Sequence, residues 1–307
     1  SAVTGADGRV SRVDAATGRT AGPPLRPGVQ SPAALAQSPD GALLAALDGR
    51  RLTVWTTADG TARDATFPVG TPIDAPASGL AFAPDGSRLA LVHPDGATGL
   101  VHLPDPSADE VRLPVGASAR DVAFAPDGHT LAVATEIDTQ LWDAATGTRL
   151  RSLPGAARAV AWAGPHTLVT TDGRQVVRWD LPSGRSLALG ASDPGSGPLA
   201  RLAAAPGPGL VAATTEGGAV ELWNLDSGHR LDGILFPPVP VLFLAFTADG
   251  GTLLASGPTL TRWSADPQRV TAWVCDVVRR NLTDAEWRAY GSGQRPRVCP
   301  GLPMEGS

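Results

Sequence analysis

The sequence predicts an all-β fold, a seven-bladed β-propeller of four-stranded antiparallel blades. Two ladders of markers predict it. A Pro-Asp-Gly type of turn recurs at Asp40-Gly41, Asp85-Gly86, Asp127-Gly128 and Asp249-Gly250, with degenerate copies at Gly164-Pro165 and around Pro206-Gly207. A second marker ends each third strand: Val13, Trp55, Leu103, Trp142, Trp179, Trp223 and Trp263, spaced 37 to 48 residues apart. A repeat of about 40–45 residues carrying four strands is the propeller period. Seven markers give seven blades.

The best-preserved repeat, residues 121–155, justifies the strand assignment. Val122–Ala125 is the first strand, Leu131–Thr135 the second, Thr139–Trp142 the third and Arg149–Leu153 the fourth. Between the first two, Pro126 presets φ, Asp127 bonds its own backbone, and Gly128 takes the positive φ that closes a hairpin. Asp143 to Gly147 repeats this chemistry between strands three and four. Alanine recurs on the first strands (Ala81, Ala123, Ala161, Ala203, Ala245), which suits strands crowded around a narrow axis.

Taken in order, the chain begins partway through a blade. Residues 1–5 align with a second strand, 9–13 with a third and 19–25 with a fourth, so the first blade lacks its first strand. Trp263 closes a third strand, and the last blade lacks its fourth. The two missing strands are adjacent in repeat order. The expectation is that a segment upstream of Ser1 supplies both, in a longer protein of which this is the C-terminal part; the alternative is a propeller left open or closed by its own tail. Linkers between blades are short and rich in Pro, Gly and Ser, and the longest, Gly190 to Pro198, has the composition of a flexible loop.

The propeller is therefore assigned to residues 1–266, and residues 267–307 to a two-helix cap and tail. Asp266-Pro267 is a helix start, and Val270, Trp273, Val274, Val277 and Val278 form an amphipathic stripe. A second helix opens at the capping box Thr283-Asp284-Ala285-Glu286. The blades contain no cysteine, whereas the tail holds two, Cys275 and Cys299. The tail is too small to build its own core, so these two are a candidate disulfide. Such a bond persists mainly outside the reducing cytosol. The expected location is an extracytoplasmic face as part of a membrane-tethered protein, or otherwise the cytoplasm.

Several residue patterns carry a family resemblance. Leu141-Trp142-Asp143 with Thr146-Gly147, Arg178-Trp179-Asp180 with Ser183-Gly184, and Leu222-Trp223-Asn224 with Ser227-Gly228 resemble WD-repeat blades, over residues 1 to about 266. The Gly-His pair of that family is missing before the first strands, because Gly128-His129 and Gly228-His229 fall in hairpin turns. Blade cohesion is accordingly expected to rest on apolar packing. The tail resembles the end of WD-repeat regions in actinobacterial STAND-type NTPase regulators, through Trp273, Cys275, Arg280 to Thr283, Glu286, Trp287, Tyr290 and Cys299-Pro300. That resemblance implies a recognition arm of a multidomain signalling or defence regulator. Phe124 to Gly128 also fits the turn of TolB-like periplasmic propellers.

Composition narrows the function. A net charge of −5 argues against nucleic acid as a partner. There is no lysine, so every fixed side-chain cation is an arginine. The longest apolar run, Phe236 to Phe246, contains three prolines and is too short to span a bilayer, so no direct membrane insertion is expected of this segment. The five histidines are scattered without metal-ligand spacing, and His93 and His102 read as two exposed loop residues. No phosphate loop and no Gly-x-Ser-x-Gly occurs, and no cofactor is expected.

What remains is a charged face. Arg120 and Arg158 precede the first strands of adjacent blades, with Arg201 displaced by one residue. Glu136, Asp138, Asp172 and Glu216 lie in loops between second and third strands on the same face. One reading is a docking face for a protein or peptide, since arginine is favoured at interface hot spots. The other is simple pairing of these arginines with neighbouring acids. The function expected is non-catalytic protein interaction or ligand sensing by a monomeric fragment. The alternatives are a propeller hydrolase or lyase using carboxylates at the channel mouth, and a TolB-like binding propeller. Trp55, Trp142, Trp179, Trp223 and Trp263 are read as structural.

Overall fold

The computed structural model describes residues 2–6, 9–14, 19–25, 34–48, 51–66, 79–93, 95–103, 110–207, 209–231, 241, 243–247, 249–256 and 260–266, together with 275, 279, 281, 283, 299 and 302. Its strands form an N-terminal hairpin and six blades. The hairpin is β1 (Ala2–Ala6) and β2 (Arg9–Val13). Each blade is named by its marker residue, at or next to the end of its third strand. The Trp55 blade comprises β3 (Ala34–Gln37), β4 (Leu43–Asp48), β5 (Arg51–Thr56) and β6 (Ala62–Thr66). The Leu103 blade comprises β7 (Leu80–Phe82), β8 (Arg88–Val92), β9 (Thr98–His102) and β10 (Val111–Leu113). In the Trp142 blade are β11 (Ala119–Phe124), β12 (Thr130–Thr135), β13 (Asp138–Asp143) and β14 (Arg149–Pro154). The Trp179 blade holds β15 (Ala159–Gly164), β16 (Thr167–Thr171), β17 (Gln175–Asp180) and β18 (Arg185–Ala191). The Trp223 blade holds β19 (Leu199–Ala204), β20 (Leu210–Thr215), β21 (Val220–Asn224) and β22 (His229–Arg230). Last comes the three-stranded Trp263 blade: β23 (Phe243–Phe246), β24 (Thr252–Ser256) and β25 (Leu260–Ser264).

Local chemistry produces these hairpins as expected. Asp127 Oδ1 accepts the His129 and Thr130 amides at 2.8 and 3.3 Å, and Gly128 sits at φ 71°. Asp143 Oδ1 accepts the Ala145 and Thr146 amides and the Thr146 hydroxyl, with Gly147 at φ 65°. Strand order within each blade is sequential and every pairing is antiparallel.

The blade count requires a correction: six blades, not seven. Where residues 19–25 were expected as the fourth strand of the first blade, after β2, the described residues form only isolated bridges, Val13 with Thr20 and Val10 with Leu25. Pro23 and Pro24 explain this, since proline has no amide to donate to a ladder, and Gly22 turns the chain at φ 78°. The hairpin still occupies a place in the ring. Val10 and Leu25 pack with Leu44, Ala46 and Trp55 of the next blade, and β1 runs beside β24 of the last.

Apolar clusters fill the seams between blades. One joins Ala90, Val92 and Leu100 of the Leu103 blade to Val122, Phe124 and Trp142 of the next. Similar clusters join each of the other consecutive blades. Trp55, Trp142 and Trp223 are at most 2% exposed, whereas Trp179 and Trp263 are only partly buried against their clusters. Gly79 is required by close packing at one seam. A Cβ there would lie 2.8 Å from the Asp121 Cα, the Val122 amide nitrogen and the Val92 side chain.

Apolar packing is not the whole of blade cohesion, which corrects the second expectation. At four seams an arginine crosses to the next unit and donates to the carbonyl two residues after its third-strand Trp. Arg12 donates to the Thr57 carbonyl, Arg88 to Ala144 (2.6 Å), Arg151 to Leu181 (2.8 Å) and Arg178 to Leu225 (2.6 Å). These turn carbonyls have no ladder partner, and a charged donor is among the stronger ways to satisfy them.

Two further expectations change. The segment from Gly190 to Pro198 is anchored rather than free: buried Glu221 accepts the Ser192 hydroxyl (2.8 Å), the Asp193 amide (3.2 Å) and the Ser196 hydroxyl, and also Arg230 (3.3 Å). His93 is buried and bonded to Glu110, and His102 lies opposite Arg88 at the other end of the β8–β9 hairpin. The expected two-helix cap falls mostly outside the described residues. Within them, Cys275 is helical and its carbonyl accepts the Arg279 amide at 3.0 Å. Cys275 and Cys299 form a disulfide. Buried Asn281 accepts the Cys299 amide at 2.7 Å and donates to the Cys299 and Leu302 carbonyls, fixing the segment around that bond.

Candidate channel-mouth site

The inner strands β3, β7, β11, β15, β19 and β23 surround a central cavity of about 830 Å³. Its wall carries the predicted alanines, Ala81, Ala123, Ala161, Ala203 and Ala245. Small side chains here follow from six strands converging on one axis.

The charged residues at one end are sorted by two β-bulges. Along β11 the pairing runs from Ala119–Thr135 to Asp121–Ala134, skipping Arg120. Along β19 it runs from Leu199–Thr215 to Arg201–Thr214, skipping Ala200. A bulge re-aims the side chains that flank it. Arg201 therefore occupies the register of Asp121, not of Arg120, and both Asp121 and Arg201 line the cavity. In other blades this register holds Ala34, Gly79, Ala159 and Phe243.

Asp121 ties two blades together. Its Oδ1 accepts the Val122 amide at 2.9 Å, and its Oδ2 accepts the Val160 amide of the next blade at 3.0 Å. The surface it retains faces the channel, but the carboxyl lies deep in the protein mass. Burial pushes it up to about 6, against the pull of the two amides and of the Arg201 charge. Arg201 is itself lowered by burial, with Asp121 opposing that shift. Arg158, on the blade between them, also lines the cavity, and its Nη1 lies 2.9 Å from Glu216 Oε1.

The other sequence candidates sit outside the cavity. Arg120 pairs with Glu136 at 3.9 Å on the rim. Asp138 accepts bonds from Thr135 (2.8 Å), Gln140 (3.1 Å) and Ser152. Burial raises its carboxyl, but bonds from Ser152, Thr135 and Gln140 outweigh that and hold it below its ordinary value. Asp172 caps its own turn through the Arg174 and Gln175 amides at 2.7 and 2.9 Å. Of the predicted arginines, Arg158 and Arg201 come together at the cavity, while Arg120, Glu136, Asp138 and Asp172 do not line it. The residue missed was Asp121. Its signal was a charge in a repeat position that, apart from Arg201, is small or apolar.

Among the described residues, no group of three or more His, Cys, Asp and Glu side chains is placed to hold a metal ion, and no helix is long and apolar enough to cross a membrane.

No protein-family model matches the chain, and no curated protein matches it. Solved structures do. A chain in the crystal structure of a mitotic checkpoint complex aligns with a TM-score of 0.66 at 18% identity, covering 86% of each chain. The Cps50 (Swd1) β-propeller domain of Myceliophteria thermophila aligns with a TM-score of 0.68 at 19% identity, covering 85% of this chain and 91% of that one. At such identities the likeness shows the fold alone, which is a β-propeller.

Proposed function

We propose that the chain is a non-catalytic binding propeller that engages a protein partner at the charged end of its channel, acting as a monomer. The observation that carries this reading is the placement of Asp121, Arg158 and Arg201 on three successive blades at one mouth. The solved checkpoint complex, an assembly containing a chain of this fold, supports it. A hydrolase would need carboxylates poised toward a substrate. Instead Glu136 and Glu216 pair with arginines, the Asp138 carboxylate accepts from Thr135, Gln140 and Ser152, Asp172 is bonded within its own turn, and Asp121 faces arginine. The test is crosslinking in the native host with wild type and with an Arg120→Glu, Arg158→Glu double variant. The expected result is loss of the same crosslinked protein at unchanged melting temperature, and equal recovery from both overturns the reading.

The larger role follows from the tail. Its resemblance to the end of STAND-type regulators supports a recognition arm within a bacterial signalling or defence protein, with the NTPase encoded upstream. An upstream reading frame without an NTPase sinks that assignment. The disulfide supports an extracytoplasmic location for this arm. Protein taken from its native host and alkylated without reductant then shows no free thiol; two alkylated cysteines overturn the location.

A further inference from the structure

The channel mouth has two kinds of lining. Asp121, Arg158 and Arg201 lie on three successive blades, and Leu35, Leu80 and Phe243 line it from the remaining blades. Beyond them the wall is mostly alanine and apolar, with Gln37, Ser38, Asp40 and Thr247 as its other polar lining, around a cavity of about 830 Å³. That volume lies in the range of sites that enclose small organic ligands. A guest must therefore meet fixed charge at one end and apolar surface along its body. The charge is chemically selective, because a guanidinium offers a planar fork that matches a carboxylate. It is also partly withdrawn from water, where charge-assisted bonds are stronger.

We infer that the channel binds the carboxylate end of an apolar ligand, with Arg201 and Arg158 as the carboxylate-binding groups and the alanine wall holding the body. This rests on the reading of the mouth as the binding region and names the chemistry it accepts. Asp121 sets a pH dependence. An entering carboxylate competes with the Asp121 charge for Arg201, and this is relieved when Asp121 takes up a proton. Its carboxyl is already raised toward that state by burial. The charged groups around it are Arg120 with Glu136 on its own blade, Arg158 with Glu216, and Arg201; the preceding blade faces it with Gly79. Binding strengthens as the pH falls through this range, provided the ligand remains ionised.

Calorimetric titration tests this with three probes: octanoate, 1-octanol and N-acetyl-Leu-Leu free acid. At least one of the two acids is expected to bind with 1:1 stoichiometry, about tenfold or more tighter than octanol, and tighter at about pH 5.5 than at about pH 8. Octanoate binding identifies a free acid as the ligand type, and binding of the dipeptide alone identifies a peptide terminus. Arg158→Gln and Arg201→Gln are each expected to weaken the acids and leave octanol unchanged, and Arg158→Gln keeps the test open if Arg201→Gln fails to fold. Ala161→Leu, which fills the lumen, is expected to weaken both acids. The inference is overturned if neither acid binds, if octanol binds as well as octanoate, or if Arg158→Gln and Ala161→Leu leave affinity intact. Loss of a crosslinked partner in the Arg120, Arg158 double variant without any probe binding overturns this inference and leaves the docking reading standing.

Discussion

Asp121 makes a prediction whose sign is unusual for a carboxylate. The fold holds its proton up to about pH 6, whereas the unfolded chain releases it near 3.8. The native state thus binds this proton more tightly, and its contribution is fullest below pH 4 and declines as the pH rises through 6. The difference is worth about 3 kcal/mol between acid and neutral pH. Contact with channel water reduces this to on the order of 1–3 kcal/mol. Carboxyls with lowered values, Asp138 and Glu110 among them, favour the fold in the opposite direction, so the measurement must be differential. The perturbation is Asp121→Asn, which cannot titrate. Asn keeps an acceptor for the Val122 amide but turns a donor toward the Val160 amide, at a pH-independent cost of about 1–3 kcal/mol. Urea unfolding of both proteins across about pH 4 to 8 gives their stability difference. Wild type should lose stability relative to the variant as pH rises, by on the order of 1–3 kcal/mol. A flat difference, or a wild type that gains on the variant with rising pH, would show that Arg201 and the two amides outweigh burial, and the reasoning would fail.

Trp142→Ala should destabilise by about 3–5 kcal/mol, and Trp179→Ala by less because Trp179 keeps more of its surface in water; thermal melts that rank them in reverse contradict the seam packing. Arg178→Ala removes a 2.6 Å charged bond to the Leu225 carbonyl and should cost about 1.5–3 kcal/mol, with hydrogen exchange rising first in the Leu225 turn. Exchange that rises everywhere alike would speak against a local seam. Reducing the Cys275–Cys299 bond, 24 residues apart, should lower stability by about 3 kcal/mol in the chain-entropy view. A melt unchanged by reductant would show that the bond does not restrain the tail.

Legibility in the sequence followed the range of the interaction. The strands around Trp142 could be placed because Asp127-Gly128 and Asp143 to Gly147 determine their hairpins within a few residues. The hairpin at the start was misjudged where Pro23 and Pro24 interrupt a ladder that the spacing alone suggested. Arg178 gave no sign of its role, since its acceptor lies 47 residues on and is a backbone atom that any residue would present. Arg158 and Arg201 were singled out among the charges of the mouth, but Asp121 and their arrangement were not. A single skipped residue in β11 and another in β19 decide that Asp121 and Arg201 line the channel while Arg120 stays outside. The anchoring of Ser192 and Ser196 by Glu221 was likewise hidden, because loop composition carries no record of a distant buried acceptor.

The arginines that cross the seams come from different places: Arg12 from β2, Arg88 from β8, Arg151 from β14 and Arg178 from β17. Their target alone is constant, a carbonyl whose position is dictated by the turn itself. A lineage of such repeats is then free to relocate the donor without ever passing through a ring that lacks one, since a second arginine can arise before the first is lost. Similarity between blades would erode under that drift while the joints survive. A transplanted blade would be judged at two unlike borders: at one it must offer the right bend in its backbone, and at the other it must have an arm long enough to reach.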